Sequence, residues 1–450
     1  MYKPQRKPFK TNERRETVRR PAAPLANKRV AAKATVDEEV KPAKPVERVI
    51  PTFEDLKRQL AAWAETEKIP GKIQAWYTAE TPAENCDWRI VKIIKGASEK
   101  LVIEAPVKDM ERPEVVTRVN EQLKKDHLRI FGKALRQICF RATGDGQFAL
   151  LVQVNLRGRN SAHGYKTFVD FLERSCPEII SCHHVQCTPD YIFDPTGTTP
   201  MKVEAKSAFG SDFISIGGTG IYMHVLDWAP KARNAWIGLP MRIESAIHPN
   251  QDDCFFEFYS GCSFVSASLA NRFKKVASLD CREYAMQSSR LNGRNVPDEN
   301  MRFYRGHVDA DFFTKFFNKE ENEGRWTFYF NLPGDESLAS NVEQMAAQSR
   351  PERILLQTSN LEVATKEIKH FRREGYMLRK SIPLYLEPGS GKFEILFLFV
   401  PDRAGILGQN PAQKAKSRNV QRPQERVNRQ NSAERPHFAQ SAPTFKQRKG

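Results

Sequence analysis

Hydrophobic positions recur at helical spacing in "FEDLKRQLAAWAETEK" (53–68), where Phe53, Leu56, Leu60 and Trp63 fall on one face. This pattern predicts an amphipathic helix, ended by Pro70-Gly71. Strand-like runs follow at 87–94 and 100–105, then a helix over 113–125 begun by Pro113. "ALRQICFRA" (134–142) and "QFALLVQVNL" (147–156) are joined by Thr143-Gly144-Asp145-Gly146 and predict an antiparallel hairpin. A helix over 164–176 and a strand over 179–187 complete this part.

From about residue 237 the rhythm changes. Apolar runs at 254–260, 276–281, 301–306, 326–333, 353–359 and 394–400 read as strands. Helical patterns at 263–273, 282–293, 337–348 and 361–375 stand between them. Such alternation predicts a parallel, doubly wound sheet covered on both faces, with its ligand at the carboxyl ends of the strands. The expected fold class is α/β: a Rossmann-like sheet over 236–402, preceded by a smaller α+β domain over 51–235.

Charge changes this picture only at the ends. The net charge is +17, yet residues 1–36 and 403–450 each carry 11 Lys/Arg against 2 Glu, which leaves the middle at −1. Both ends are rich in Pro, Gln, Asn and Arg and poor in aliphatics. The segments 1–50 and 403–450 are therefore expected to be basic arms, disordered when free. Arms of this kind meet nucleic acid phosphates. The start is Arg-rich and acid-poor, as organelle-targeting peptides are, but Pro4, Pro8, Pro21 and Pro24 oppose the helix such peptides form.

Eight cysteines without a signal peptide fit a reduced, intracellular setting better than a disulfide framework. "CPEIISCHHVQC" places Cys176, Cys182, His183, His184 and Cys187 close in sequence. The spacing is not a CxxC pair and the segment alternates like a strand, so buried thiols outweigh a zinc site and no metal is expected. The longest apolar runs, such as "FEILFLFV" (393–400), are too short to span a bilayer.

The stretch "FFEFYSGCSFVSASLA" (255–270) carries the candidate chemistry. A strand ends in Glu257, a turn follows through Gly261, and the next strand ends in Asp280. "YRGHVDA" adds Gly306 and Asp309 after the third strand. This order is the pattern of an adenosine-binding unit, in which the turn glycine admits the ligand and the second carboxylate accepts ribose hydroxyls.

Taken together, these residues resemble the S-adenosylmethionine-dependent RNA uracil-5-methyltransferases. That family has Asp-Leu-Tyr-Cys-Gly-x-Gly after its first strand; here the positions read Glu257-Phe258-Tyr259-Ser260-Gly261-Cys262-Ser263. The hairpin around 143–146 and "RLNGRN" (290–295) are also similar. The resemblance spans roughly 72–400. It implies cofactor contacts at Glu257, Tyr259, Gly261, Ser263, Asp280 and Asp309, with His224 where the family has a Gln.

The family's chemistry needs a Cys thiolate that adds to uracil C6 and a carboxylate that later removes the C5 proton. A thiol, with a pKa of about 8.5, meets this need; a hydroxyl does so only with a base beside it. The family's Ser-Cys-Asn-Pro motif matches Thr358-Ser359-Asn360-Leu361, so Ser359 holds the nucleophile position. Its Asp-Pro-Pro-Arg motif matches Asn331-Leu332-Pro333-Gly334, with Asn331 at the pocket position. Glu394 keeps the general-base position, while Lys392 replaces a His. Ser263 stands for the second turn glycine, where a Cβ is expected to hinder the cofactor, so S-adenosylmethionine binding is expected to be weak or lost.

Three functions follow. The first is an inactive methyltransferase fold that binds RNA, ribosomal RNA before tRNA, as a structural or assembly factor among ribosomal proteins, with the mitochondrial ribosome as the favoured setting and the cytoplasm or nucleus as alternatives. The second is an active RNA methyltransferase, on tRNA or rRNA, with another target atom or an altered nucleophile. The third is a scaffold whose arms recruit acidic proteins.

Overall fold

The computed structural model describes residues 50–402 apart from 71–72, 81, 96–97, 108, 157, 187–192, 194–202, 297–299, 318–323, 335 and 388. Both basic arms lie outside the described residues, except Ile50. The first helix, α1 (Phe53–Thr66), begins with a reciprocal cap: the Thr52 hydroxyl accepts the Asp55 N–H, and the Asp55 carboxylate accepts the Thr52 N–H. A two-residue strand, β1 (Tyr77–Thr78), follows.

A six-stranded sheet comes next, made by β2 (Trp88–Lys95), β3 (Ser98–Glu104), β4 (Leu135–Ala142), β5 (Phe148–Val154), β6 (Ile179–Gln186) and β7 (Glu204–Phe209) in the order β3-β2-β4-β5-β6-β7. Between these strands run α2 (Glu114–Leu123), α3 (Arg129–Ala134) and α4 (Arg159–Ser175). The β4–β5 hairpin is antiparallel, as its sequence predicts, and its turn uses left-handed backbone at Gly144 and Gly146. Pro113 caps α2 from outside instead of opening it. Two short strands, β8 (Phe213–Ser215) and β9 (Tyr222–His224), and the helices α5 (Arg233–Ile237) and α6 (Leu239–Ile247) lead into the second half.

There the strands are β10 (Asp253–Phe258), β11 (Lys275–Asp280), β12 (Met301–Arg305), β13 (Arg325–Asn331), β14 (Arg353–Thr358), β15 (Tyr376–Tyr385) and β16 (Glu394–Pro401). The connecting helices are α7 (Phe264–Leu269), α8 (Glu283–Asn295), α9 (Ala310–Phe317), α10 (Ser340–Gln348) and α11 (Leu361–Arg373). The sheet order is β1-β15-β16-β14-β13-β10-β11-β12. Strands β10 to β14 are parallel, as expected, but β16 runs antiparallel to both β14 and β15. The all-parallel expectation is thus corrected at one side of the sheet. The reversal has a use: it brings the first residue of β16 to the edge where β13 and β14 end.

Alternate residues of the central strands face two cores, which is why these runs are apolar throughout. Phe255, Tyr329, Leu355 and Leu396 pack with α6, α7 and residues of the smaller sheet such as Leu151. Phe256, Phe258, Phe328, Phe330 and Phe397 pack on the opposite face with α9, α10 and α11. Helix α1 joins this second face through Leu56 and Leu60, and the Trp63 indole N–H donates to Thr365 on α11 at 2.9 Å. The N-terminal helix, although it precedes the smaller sheet in the chain, therefore covers the larger one.

Candidate functional site

Two clusters form at one edge of the large sheet, where β10, β11, β13 and β14 end. The first surrounds the turn after β10. Tyr259, Gly261 and Ser263 all have left-handed backbone, with φ of 58°, 55° and 59°. Only glycine takes this conformation freely, and strain of this kind gathers at functional turns. Ser263 therefore keeps a glycine-like backbone. Its side chain is fully buried and turned into the protein, where the hydroxyl meets Ser278 on β11 at 2.8 Å and Ser289 on α8 at 2.7 Å. The expectation that its Cβ obstructs a ligand is corrected: the side chain leaves the open side of the turn.

Glu257 is buried beneath the same turn. Its carboxylate accepts the Ser266 N–H at 2.8 Å and the Ser266 hydroxyl at 2.5 Å, so it anchors α7. Burial pushes this carboxyl up to about 8, with the two Ser266 bonds opposing and the Asp280 charge adding to the rise. The folded state then holds a proton that the unfolded chain releases above about 4.5. Stability is expected to fall as pH rises from 4.5 to 8, and Glu257→Gln should flatten that decline. Urea midpoints of both proteins at pH 5 and pH 8 check this; parallel declines would show that Glu257 ionises normally.

Asp280 ends β11 as predicted, but its carboxylate is already engaged. One oxygen accepts the Gly261 N–H at 2.8 Å and an Arg282 guanidinium N–H at 2.9 Å. The other accepts the Arg282 backbone N–H at 2.9 Å and Nε–H at 3.0 Å. Arg282 also stands 3.6 Å from Asp227, which is wholly buried and pushed up to about 6 by that burial. Burial opposes the Arg282 charge, but Asp227 and Asp280 outweigh it and hold the guanidinium protonated.

His224 lies on β9 beside this cluster. Its ring stacks on Tyr284 of α8 at 4.4 Å, its Nδ1 accepts the Leu226 N–H, and burial lowers it to about 4, so it is neutral near pH 7. Asp309 caps α9, accepting the Phe312 N–H at 2.7 Å.

The second cluster joins the residues of the nucleophile and base positions. Ser359 follows β14, and its hydroxyl donates to the carbonyl of Gly334 at 3.2 Å. Asn331 ends β13 opposite Gln357 of β14. Glu394 begins β16 and accepts the Gln357 amide N–H at 2.5 Å, while the Gln357 carbonyl accepts the Tyr329 hydroxyl at 2.7 Å. Burial pushes the Glu394 carboxyl up to about 7, within the range of acid–base work. Its bond runs to Gln357, however, and the Ser359 hydroxyl is directed at a carbonyl. Among the described residues the structure thus gathers Ser359, Gly334, Asn331 and Glu394 at one edge, without pairing the hydroxyl to a base.

The charged and amide residues Asp227, Arg282 and Gln357, with Tyr329 and the buried Ser266, Ser278 and Ser289, escaped the sequence reading. Gln357 had a signal, a polar residue inside the apolar run "RILLQTS". In the cysteine-rich segment, Cys182 and His183 are buried on β6, His184 Nε2 lies 3.1 Å from the Val154 carbonyl, and Cys187 falls outside the described residues. Among the described residues no three ligating side chains stand together to hold a metal ion, and no helix is long and apolar enough to cross a membrane.

The turn backbone suits a nucleoside cofactor, since Gly261 leaves its open side without a Cβ. The ribose acid does not suit one, because both Asp280 oxygens are spent on Arg282 and the turn. A Cβ on Gly261 would meet the Arg282 guanidinium at 3.4 Å, which places that guanidinium over the turn itself.

No protein-family model matches the chain. Over 148 residues, 33% of the chain, it is 25% identical to the uncharacterized RNA methyltransferase YljE of Lactococcus lactis, covering 31% of that protein. Over 191 residues it is 22% identical to the 23S rRNA (uracil(1939)-C(5))-methyltransferase RlmD of Aliivibrio fischeri, covering 42% of each chain. The chain thus spans less than half the length of the curated relatives it matches. In three dimensions it resembles the Pyrococcus abyssi tRNA (uracil-54, C5)-methyltransferase crystallised with S-adenosyl-L-homocysteine: TM-score 0.54, 14% identity, 76% of this chain and 83% of that one. The fold is the Rossmann-like fold of S-adenosylmethionine-dependent methyltransferases. The chain is RNA-methyltransferase-like, with weak similarity to proteins that carry uracil-5 methyltransferase names.

Proposed function

We propose that this protein is an RNA-binding relative of the uracil-5-methyltransferases that does not methylate uracil C5. On this reading it serves as a structural or assembly factor on ribosomal RNA, in an organellar ribosome. The observation that carries the proposal is Ser359: a hydroxyl stands at the nucleophile position and donates to the Gly334 carbonyl. Addition to uracil C6 needs a thiolate, or a hydroxyl whose proton a neighbouring base removes. Glu394, the nearest counterpart of the family's base, is tied to Gln357 instead. The RNA targets named for the relatives, together with the 22 Lys/Arg of the two end segments, support RNA as the partner.

The test is incubation of the full chain with radiolabelled S-adenosylmethionine and uridine-containing RNA. No labelled 5-methyluridine is expected. Turnover that disappears in Ser359→Ala would refute the proposal.

A second reading, methyl transfer to another RNA atom, draws on Glu394 alone. A half-buried carboxyl held at about 7 at the sheet edge can accept a proton from an amine or hydroxyl without a covalent nucleophile. Label recovered in a nucleoside other than 5-methyluridine would favour it.

A further inference from the structure

We propose that Arg282 is an internal plug: its guanidinium fills the nucleoside site of this chain and closes it to S-adenosylmethionine. The inference rests on the reading that the fold descends to a methyltransferase-type cofactor site, and it adds the device that shuts that site.

Three independent features support it. First, Arg282 takes the interactions a ribose would need. Its backbone N–H, Nε–H and a terminal N–H all go to Asp280, the strand-end acid where ribose hydroxyls bind in folds of this kind. Second, it lies over the turn. Gly261 gives a ligand close access to the backbone, and the nearest neighbour to that open position is the Arg282 terminal nitrogen. Third, it is fastened from behind. Asp227, 1% exposed at its side chain, stands 3.6 Å from the guanidinium and is held by the Trp228 N–H and, at 3.4 Å, by the Ser288 hydroxyl.

The chemistry decides which occupant wins. A ribose offers two neutral hydroxyls to a carboxylate. Arg282 offers three N–H donors and a full opposite charge, and as part of the chain it gives up no translational freedom. A cofactor must displace the guanidinium and leave two adjacent carboxylates, Asp227 and Asp280, without their cation. The rest of the turn stays ligand-ready, because Ser263 is folded inward and the glycine is in place.

The experiment is calorimetric titration of S-adenosyl-L-homocysteine into the full chain, with circular dichroism confirming that each protein is folded. Wild type is expected to bind at about millimolar or weaker. Arg282→Ala is expected to bind at least tenfold tighter, which corresponds to about 1.4 kcal/mol. Arg282→Ala leaves Asp227 buried without its cation, so Arg282→Ala with Asp227→Asn provides a second protein in which that charge is removed. In either background, adding Asp280→Ala should abolish the gain, because the freed acid is what receives the ligand.

Micromolar binding by wild type, or a folded Arg282→Ala/Asp227→Asn protein that binds no tighter than wild type, would overturn the plug. These outcomes are separate from the test of uracil methylation. An opened site with Ser359 unchanged should still give no 5-methyluridine, so failure of the plug and failure of the proposed function are told apart.

Discussion

Replacing Asp87 with alanine is expected to cost about 3–5 kcal/mol of stability, the range for breaking a buried ion pair from one side. Asp87 is the hub of a buried charge cluster where the smaller sheet meets the rest of the chain. A terminal nitrogen of Arg233 donates to both of its oxygens, at 2.8 and 3.0 Å, and the Ala142 N–H donates to one of them at 2.8 Å. Arg141 Nε lies 3.7 Å away. Both arginines are fully buried, and burial pulls the Arg141 guanidinium below its ordinary value against the attraction of Asp87. Without the carboxylate, Arg233 loses its ion pair and Arg141 keeps only the weaker attraction of Asp227. A domain is stable by only about 5–15 kcal/mol, so a loss of this size should lower the urea midpoint sharply. Asp87→Ala combined with Arg233→Met should lose less than the sum of the single changes. A single Asp87→Ala within about 1 kcal/mol of wild type would show that solvent reaches the arginines.

Phe256→Ala should be comparably damaging, at about 3–5 kcal/mol. The ring is fully buried on β10. It stacks on Phe258 at 4.2 Å and 15°, and packs with Phe316 at 4.8 Å and Trp326 at 6.0 Å. Its removal leaves a cavity among rigid rings that cannot collapse to fill it. Phe256→Leu should restore much of the loss by refilling that volume. Denaturant unfolding of the two variants decides this, and equal midpoints for them would argue that the cluster relaxes. The residue is one position from Glu257, so looseness here would also reach the candidate cofactor turn.

Much of this was legible in the chain. Strands β10, β11, β13, β14 and β16 of the large sheet announced themselves because their runs are mostly apolar on both faces. The hairpin at 143–146 was visible because its glycines had to supply left-handed backbone. Strand β15 was not seen, since Arg379 and Lys380 break the apolar run in "YMLRKSIPLY". Helix α9 was missed because "ADFFTKFF" is dominated by phenylalanines, which favour helices little, and only packing against Phe256 and Phe258 makes it helical. At the site, Asp280 could be placed by its strand end, and Ser359 and Glu394 by the motifs they resemble. What those groups bond to could not be read. Whether Asp280 faces a ligand or Arg282, and whether Ser263 points outward or inward, depends on side-chain direction, which spacing does not encode.

The buried hydroxyls under the turn make residue 263 hard to change alone. Glycine there would relieve the left-handed strain, a gain of roughly 1–2 kcal/mol. It would also take away the 2.8 Å partner of the Ser278 hydroxyl inside the fold, a loss of about 1–3 kcal/mol. The net lies between a gain of about 1 kcal/mol and a loss of about 2 kcal/mol, so the single change brings little advantage. A chain that replaces Ser278 by an apolar residue first, or at once, gains more from the glycine. Positions 263 and 278 are thus expected to be epistatic: the effect of glycine at 263 depends on what stands at 278.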